Sequence, residues 1–273
     1  MFRVRKIDSL DLPELQPYRT MRRQEEHKQQ GIFVAEGEKV VRRLLESRLG
    51  VVTALLPEKW LAEFESLLQG RPETVEVFVA EKALLETLTG FSMYQGLLAV
   101  GLVPEKITLD AVLRNVPRPG LFAAVDTLSS AENLGALVRN CAGFNVACLI
   151  LSETCASPYL RRAVRSSMGT IFQLPIIESS SVVAALERLR AEGFRVVAAH
   201  PRAEGHTLWE TDLSGDCCLV FGSEGYGISP KVLEACDEAV AGPMPPTVDS
   251  LNVASAAAVF LYEASRQRAK IKP

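Results

Sequence analysis

The chain has 273 residues, of which 48% are hydrophobic and 23% charged, a balance typical of folded globular proteins. At about 150 residues for a typical domain, this length favours two domains. The formal net charge of −3 excludes a uniformly basic nucleic-acid coat protein but is compatible with a local basic patch. No apolar run approaches the ~18 residues of a membrane span, and residues 1–20 lack the apolar core of a signal peptide. We therefore expect a cytoplasmic protein without membrane segments.

Neither the cysteines nor the histidines predict a metal site. The six cysteines lie in the second half of the chain, without a Cys-x-x-Cys pair, and most fall in apolar runs such as 217–221. Buried free thiols are expected rather than disulfides or metal ligands. His200 and His206 flank one loop, but no third ligand lies near them in the sequence.

The first part of the chain, residues 1–105, alternates short β-rich runs with helical patterns. This alternation predicts a compact α/β domain. The predicted strands are 32–35, 51–56, 75–79 and 97–103, and the predicted helices are 38–47 and 60–68. Residues 106–119, which end with Pro117 and Pro119 directly before Gly120, are predicted to form a linker.

The second part, residues 120–273, repeats the alternation with apolar runs that are continuous. Such runs are typical of parallel strands covered by helices on both faces. The predicted strands are 121–125, 147–151, 195–199, 218–221 and 238–241. A parallel-sheet α/β domain is therefore predicted, with ligand sites at the carboxyl ends of its strands.

A first polar segment follows the strand that ends at Val125. A short loop leads to a predicted helix that carries Asn133, Gly135 and Arg139 near its beginning. By itself this spacing is weak evidence for a functional site, because a capping asparagine and a solvated arginine would have the same pattern.

A second segment, 222–227, is a glycine-rich turn after a strand, with Glu224 as its single carboxylate. Glycines allow backbone amides to approach a ligand closely. The spacing of Gly222, Gly225 and Gly227 also matches a dinucleotide loop. However, such loops follow the first strand of their unit, and Glu224 would place a carboxylate against the pyrophosphate.

A third segment, 242–249, is a proline-rich loop before an alanine-rich helix that extends to Arg266. Ser250 is predicted to cap this helix. The unpaired amides at the helix start are suited to a carboxylate group of a ligand.

In this order, the three segments resemble the motifs of the SpoU family of RNA 2′-O-ribose methyltransferases, in the SPOUT superfamily. The likeness covers Leu121 to about Ala269 and includes residues 165–169, which are similar to the Arg-x-Ser-x-Gly stretch of that family. Residues 33–40 and 94–96 resemble the L30e-like substrate-binding domain that often precedes it.

The resemblance implies a fold, a cofactor and an assembly. The expected fold is a C-terminal parallel-sheet SPOUT domain with a deep trefoil knot, preceded by a smaller α/β L30e-like domain. The expected cofactor is S-adenosylmethionine, and the expected assembly is a homodimer through the catalytic domain. The implied cofactor-binding residues are Gly222, Ser223, Gly227, Gly242, Met244 and Leu251. The family usually has Ile-Pro-Met-x-Gly where this chain has Gly242, Pro243, Met244, Pro245 and Pro246. Ala254 stands where serine is frequent.

The resemblance also implies a catalytic set, consisting of Arg139, Asn133, Glu224, Ser250 and Asn252. A guanidinium is a poor proton acceptor, so we prefer a phosphate-clamping and orienting role for Arg139; acting as a base would require strong local help. A non-catalytic RNA-binding or ribosome-assembly protein with the same fold is the alternative. Such a protein has no reason to keep Arg139, Glu224 and Asn252 together.

Two groups of residues are predicted to contact RNA. Arg161, Arg162 and Arg165 share one side of a predicted helix that is followed by Ser167, although a solvated basic face would have the same pattern. In the first domain, Arg22, Arg23 and Lys39 form a second predicted surface, interleaved with glutamates.

Overall fold

The computed structural model describes residues 1–89, 96–201, 203, 206–223, 225–242, 244–245 and 247–269. In chain order, the strands are β1 (Phe2–Lys6), β2 (Ile32–Glu36), β3 (Val51–Leu56), β4 (Val75–Val79), β5 (Leu98–Leu102), β6 (Leu121–Val125), β7 (Cys148–Ser152), β8 (Ile176–Ser179), β9 (Arg195–Ala199), β10 (His206–Thr207), β11 (Cys217–Phe221) and β12 (Glu238–Ala241). The α-helices are α1 (Gln16–Arg19), α2 (Gln24–Gln30), α3 (Glu38–Glu46), α4 (Leu61–Gln69), α5 (Lys82–Thr89), α6 (Leu109–Leu113), α7 (Ala131–Gly143), α8 (Arg161–Ser166), α9 (Val182–Ala191), α10 (Pro230–Glu234) and α11 (Val253–Ala269). Short 3₁₀ turns cover Pro13–Leu15, Glu58–Trp60 and Thr170–Phe172.

The chain divides into two compact units. The first comprises residues 1–105 and 158–172, and the second comprises 106–157 and the chain from 173 onward. Two features differ from the sequence prediction. The predicted linker contains helix α6, and the segment 158–172, expected in the second domain, belongs to the first unit. Among the described residues, no helix has both the length and the apolar character needed to cross a membrane.

The first unit is built on a mixed sheet with the strand order β1-β4-β3-β5-β2. Strand β5 is antiparallel to β2 and β3, whereas the other pairs are parallel. Edge strand β1 was not predicted, because most of its side chains are charged and exposed. The core includes the fully buried Tyr18, whose hydroxyl lies 2.7 Å from Thr53 Oγ1. Burial raises the pKa of Tyr18 well above its usual value.

The second unit contains a sheet with the strand order β10-β12-β9-β11-β6-β7-β8, and every pair of neighbours is parallel. All residues of β6 and β11 are buried, which explains their continuous apolar runs. Phe122 and Phe194 pack edge to face, with ring centroids 5.0 Å apart. The predicted fold class, mixed α/β with a parallel sheet in the C-terminal part, is confirmed. The predicted knot stays a prediction.

The order of these strands determines where a ligand site can form. From β6 the chain proceeds through β7 to β8 at one edge, and it then continues with β9, β11 and β12 on the other side of β6. In parallel sheets, ligands bind outside the carboxyl ends of strands near such a reversal. The loops that follow β9, β11 and β12 therefore reach the same end of the sheet.

The described cysteines are free thiols, as predicted. Cys141, Cys148, Cys217 and Cys218 are buried, and Cys155 and Cys236 are half-buried. Burial raises the pKa of the Cys148 and Cys236 thiols to about 12. These thiols are therefore protonated and unreactive at neutral pH.

Candidate functional site

A cavity of about 360 Å³ lies in the second unit at the carboxyl ends of three adjacent strands, β9, β11 and β12. The cavity is lined by residues from the ends of these strands and by four side chains of α11. The strand-end residues are 199–201 from the end of β9, 221–223 and 225–228 from the end of β11, and 242, 244 and 249–251 after β12. The second and third polar segments of the sequence thus meet in one cavity.

The glycine-rich turn after β11 is held by its own backbone. The Ser223 amide donates to the Gly227 carbonyl at 3.0 Å, and the Gly227 amide donates back at 2.9 Å. A Cβ added at Gly222 would lie 2.1 Å from the carbonyl carbon of Gly227, so only glycine fits there. The predicted cofactor residues Gly222, Ser223 and Gly227 therefore lie together in the cavity wall. Glu224 lies outside the described residues.

The loop after β12 supplies the remaining predicted cofactor residues. Gly242, Met244 and Leu251 all line the cavity, together with Ser250. A Cβ added at Gly242 would be 3.9 Å from Cε2 of Phe260, which also lines the cavity. The ring of Phe260 therefore supplies apolar surface next to Gly242.

Helix α11 is capped by Asn252, so the prediction of Ser250 as the cap was wrong. Asn252 Oδ1 accepts from the amides of Ala254 at 3.0 Å and Ser255 at 3.4 Å. This is the hydrogen-bond pattern of a helix N-cap. The helix accordingly begins at Val253, three residues after Ser250. Ser250 is exposed and lies in the cavity wall.

The first polar segment meets the third through a pair of asparagines. Ser130 caps α7, because its hydroxyl accepts from the Asn133 amide at 3.3 Å. The side chain of Asn133 then accepts from Nδ2 of Asn252 at 3.2 Å. Asn133 and Asn252, which are 119 residues apart in sequence, are therefore brought together beside the cavity wall.

Two substitutions of Asn252 should distinguish its contact with the first amides of α11 from its contact with Asn133. We expect Asn252→Ala to lower the free energy of unfolding by about 0.5–2 kcal/mol, because the first amides of α11 lose their acceptor. Asn252→Asp keeps that acceptor and should retain most of the stability. Urea denaturation of both variants checks this, and an alanine variant as stable as the wild type would contradict it.

Arg139 is exposed on α7 and does not line the cavity. The next residue, Asn140, donates from Nδ2 to the Ala254 carbonyl at 2.6 Å, which fixes α7 against α11. Among the described residues, Arg139 forms no hydrogen bond or ion pair. The Arg139 guanidinium can therefore bind a group that does not belong to the described residues, such as one of another molecule.

The predicted arginine face on α8 is largely engaged within the first unit. Arg161 and Arg165 both form ion pairs with the buried carboxylate of Glu36, the latter at 3.3 Å. Ser167 is fully buried, and its hydroxyl donates to the Val164 carbonyl at 2.8 Å, so it is not on the surface as expected. Arg162 is exposed on this helix.

The remaining predicted RNA contacts are exposed residues of the first unit. Arg22 lies in the turn between α1 and α2, and Arg23, which precedes α2, pairs with Glu26 at 3.0 Å. Lys39 is exposed in the first turn of α3.

Sequence reasoning missed two polar residues of the cavity wall, His200 and Asp249. His200 directly follows β9, the neighbour of β11 in the sheet, and its position after a strand was the available signal. Asp126 was also missed. Its carboxylate is buried and accepts from the Ser229 amide at 2.9 Å, which ties the end of β6 to the segment after the glycine turn.

The chemistry of the cavity fits S-adenosylmethionine. Its volume is within the range of small-molecule sites, and apolar walls such as Phe260 and Leu251 are suited to a flat aromatic base. The carboxylate of Asp249 suits the cationic part of such a ligand. At Gly222, where a Cβ would be excluded, a ligand can approach the backbone closely.

Comparison with known proteins identifies the family of this chain. The model of the SpoU rRNA Methylase family matches residues 120–262. A relative from Mycobacterium tuberculosis, named as an uncharacterized tRNA/rRNA methyltransferase, is 32% identical over 278 residues, covering 99% of this chain and 94% of that protein. A 23S rRNA (guanosine-2′-O-)-methyltransferase, RlmB of Pectobacterium atrosepticum, is 29% identical over 80% of this chain and 95% of its own length.

A solved structure extends the similarity to the fold and the cofactor. The SpoU methyltransferase AviRb from Streptomyces viridochromogenes, in complex with AdoMet, is 26% identical with a TM-score of 0.81. The superposition covers 96% of this chain and 100% of that one. The chain therefore belongs to the SpoU family of RNA methyltransferases, and its cofactor is S-adenosylmethionine.

Proposed function

We propose that the protein methylates the 2′-hydroxyl of a ribose in ribosomal or transfer RNA. The observation that carries this proposal is the contact of Asn133 with Asn252 beside the cofactor cavity. Two side-chain amides offer donors and acceptors suited to the hydroxyl groups of a sugar. The relative from Pectobacterium, whose name specifies the 2′-oxygen of guanosine in 23S rRNA, supports the same chemistry.

The residues proposed to hold the cofactor come from both loops of the cavity. Bound S-adenosylmethionine supplies an electrophilic methyl group on a positively charged sulfur. The proposed cofactor-binding residues are Gly222, Ser223, Gly227, Gly242, Met244 and Leu251. The backbone of the glycine turn and the apolar ring of Phe260 orient this ligand and exclude water from it.

A ribose hydroxyl is a poor nucleophile, so the protein must position it in line with the methyl group and let its proton leave. We propose that Asn133, Asn252 and Ser250 orient the ribose by hydrogen bonds. Arg139 binds the phosphate next to this ribose through the coplanar N–H donors of its guanidinium. Glu224 is proposed to hold the plane of that guanidinium.

We also propose a homodimer through the second unit. Helix α11 exposes Val259 and Tyr262, 45% and 58% accessible, one turn apart on its surface. Leu251, just before this helix, is 45% exposed. A second copy of the chain would cover these apolar side chains and could bring its own α7 towards this cavity.

The first unit is proposed to bind the RNA substrate, with Lys39, Arg22, Arg23 and Arg162 contributing positive charge.

If Lys39 contacts a phosphate, Lys39→Gln should reduce the slope of log affinity against log salt by about 0.7–0.9. Filter binding of ribosomal RNA at several salt concentrations measures this slope. Lys106→Gln, an equal change of charge at an exposed position of the second unit, is the control. An identical slope for Lys39→Gln and the wild type would exclude this contact.

Methyl transfer to RNA tests the proposed function directly. RNA from cells that lack the gene is incubated with the protein and S-adenosylmethionine labelled in its methyl group. A 2′-O-methyl group blocks alkaline cleavage of the following phosphodiester bond, so the label should appear in alkali-resistant dinucleotides. Label in mononucleotides would indicate base methylation, and no transfer would favour a non-catalytic RNA-binding protein. Both outcomes would contradict the proposal.

A further inference from the structure

One large aromatic side chain on the rim of the cofactor cavity has no packing function in this chain. Tyr226 lines the cavity and is 95% exposed, more than any other large hydrophobic or aromatic residue among the described part of the chain. By contrast, Phe221 and Phe260, which also line the cavity, are buried and pack edge to face against each other. Tyr226 therefore presents its ring to solvent where the substrate must arrive.

The described backbone beside this ring is hydrogen-bonded within the turn. The Tyr226 amide donates to Ser223 Oγ at 3.1 Å, and the paired amides of Ser223 and Gly227 close the turn around it. The tight approach of Gly222 to Gly227 anchors the turn to the end of β11. Because these backbone contacts form without a ligand, stacking a base on the ring would mainly order the Tyr226 side chain.

The chemistry of RNA indicates what such a ring would bind. Proteins that act on unpaired nucleotides stack the exposed bases on aromatic side chains, and this contact tolerates any base because every base has a flat π-face. An enzyme that must align a single ribose hydroxyl requires the nucleotide to be separated from its neighbours. A stacking ring beside the methyl donor would hold it in that state.

We propose that Tyr226 is a stacking platform for an unpaired base of the RNA substrate, at or next to the methylated nucleotide. This inference rests on the proposed function. It assigns the turn after β11 a second task besides forming the cofactor cavity, and it makes single-stranded RNA the preferred substrate class.

Photocrosslinking tests the contact without requiring activity. The probe is a random-sequence pool of single-stranded 12-nucleotide RNAs, each with one 5-iodouridine, mixed with the full-length protein and S-adenosylhomocysteine. Irradiation should crosslink RNA to Tyr226, as mapped by mass spectrometry of the digested protein, and the same pool annealed to its complements should crosslink at least several-fold less. Absence of Tyr226 from the crosslinked peptides would overturn the proposal.

Affinity measurements with matched variants distinguish stacking from other tasks of this residue. Tyr226→Ala should weaken binding of the single-stranded pool about 5- to 150-fold, the range for one lost stacked base, and Tyr226→Phe should restore it. Trp209→Ala, which removes another exposed aromatic ring of the second unit, should leave binding unchanged. If Tyr226→Ala instead weakens S-adenosylmethionine binding or shifts the oligomeric state with RNA affinity unchanged, the proposal is overturned.

Failure of this inference and failure of the proposed function have different signatures. Ribose methylation with an unchanged KM for RNA in Tyr226→Ala would overturn the stacking proposal alone. A crosslink to Tyr226 that persists in every variant with this tyrosine would support stacking. If the same protein methylated only bases, the ribose would be refuted as its target.

Discussion

Replacing Arg139 by lysine should reduce methyl transfer by about 100-fold or more and leave the affinity for S-adenosylmethionine unchanged. Loss of one preorganised donor to developing or fixed negative charge typically costs 10²- to 10³-fold, about 3–4 kcal/mol, in turnover. Lysine keeps the charge but cannot form the two parallel hydrogen bonds of a guanidinium with a phosphate. Cofactor binding should be unaffected because Arg139 does not line the cavity.

The measurement is single-turnover methyl transfer, with cofactor affinity determined separately by calorimetry. Arg114→Lys is the matched control, since Arg114 is an exposed arginine at the end of α6. A turnover rate for Arg139→Lys within a few-fold of that of the wild type would remove Arg139 from the mechanism. A parallel loss of cofactor affinity would place it in the cavity instead.

Gly222→Ala should weaken S-adenosylmethionine binding by about 5- to 150-fold. The added Cβ would lie 2.1–2.4 Å from the carbonyl group of Gly227 and the amide of Ile228, which are backbone atoms that cannot rotate away. Overpacking of this kind costs about 1–3 kcal/mol, and 1.4 kcal/mol corresponds to a tenfold change in affinity. The turn can relieve the clash only by moving, which changes the cavity wall.

Gly225→Ala in the same turn is the matched control. A Cβ at Gly225 meets no atom within 4 Å, and its φ is not in the left-handed region. The two variants are compared by thermal unfolding and by calorimetric titration with the cofactor. Equal cofactor affinity in Gly222→Ala and the wild type would show that the tight turn is not required for binding.

The elements that sequence patterns located best are strands with largely apolar sequences. Strands β3, β4, β6, β9 and β12 begin and end where the apolar runs predicted. Exposed edge strands lack the apolar run that predicts a strand. Strand β1 is rich in arginine and lysine, and β10 is only two residues long. Hydrophobic periodicity reports burial, so it detects a strand only where the sheet is covered.

The cavity was only partly predictable, because its walls depend on the order of strands in the sheet. The loops after β11 and β12 were recognised from their glycines and prolines. His200 was not recognised, because the sequence pattern does not show that β9 lies between β12 and β11. Similarly, Arg161 had the spacing of a solvated basic face, and its partner Glu36 lies 125 residues earlier in the chain. Pairings at such separations are decided by tertiary structure.

The insertion of residues 158–172 into the first unit has a consequence for how the protein is made. Strand β2 emerges from the ribosome long before α8, whose arginines neutralise its buried glutamate. Domains commonly fold during synthesis from the N-terminus onward, but this unit is complete only after residues 158–172 have been made. A fragment that ends at residue 105 would have Glu36 without its cations and Phe33 without the ring of Phe172 stacked 5.3 Å away. Dissecting the protein at that boundary would therefore yield two incomplete pieces.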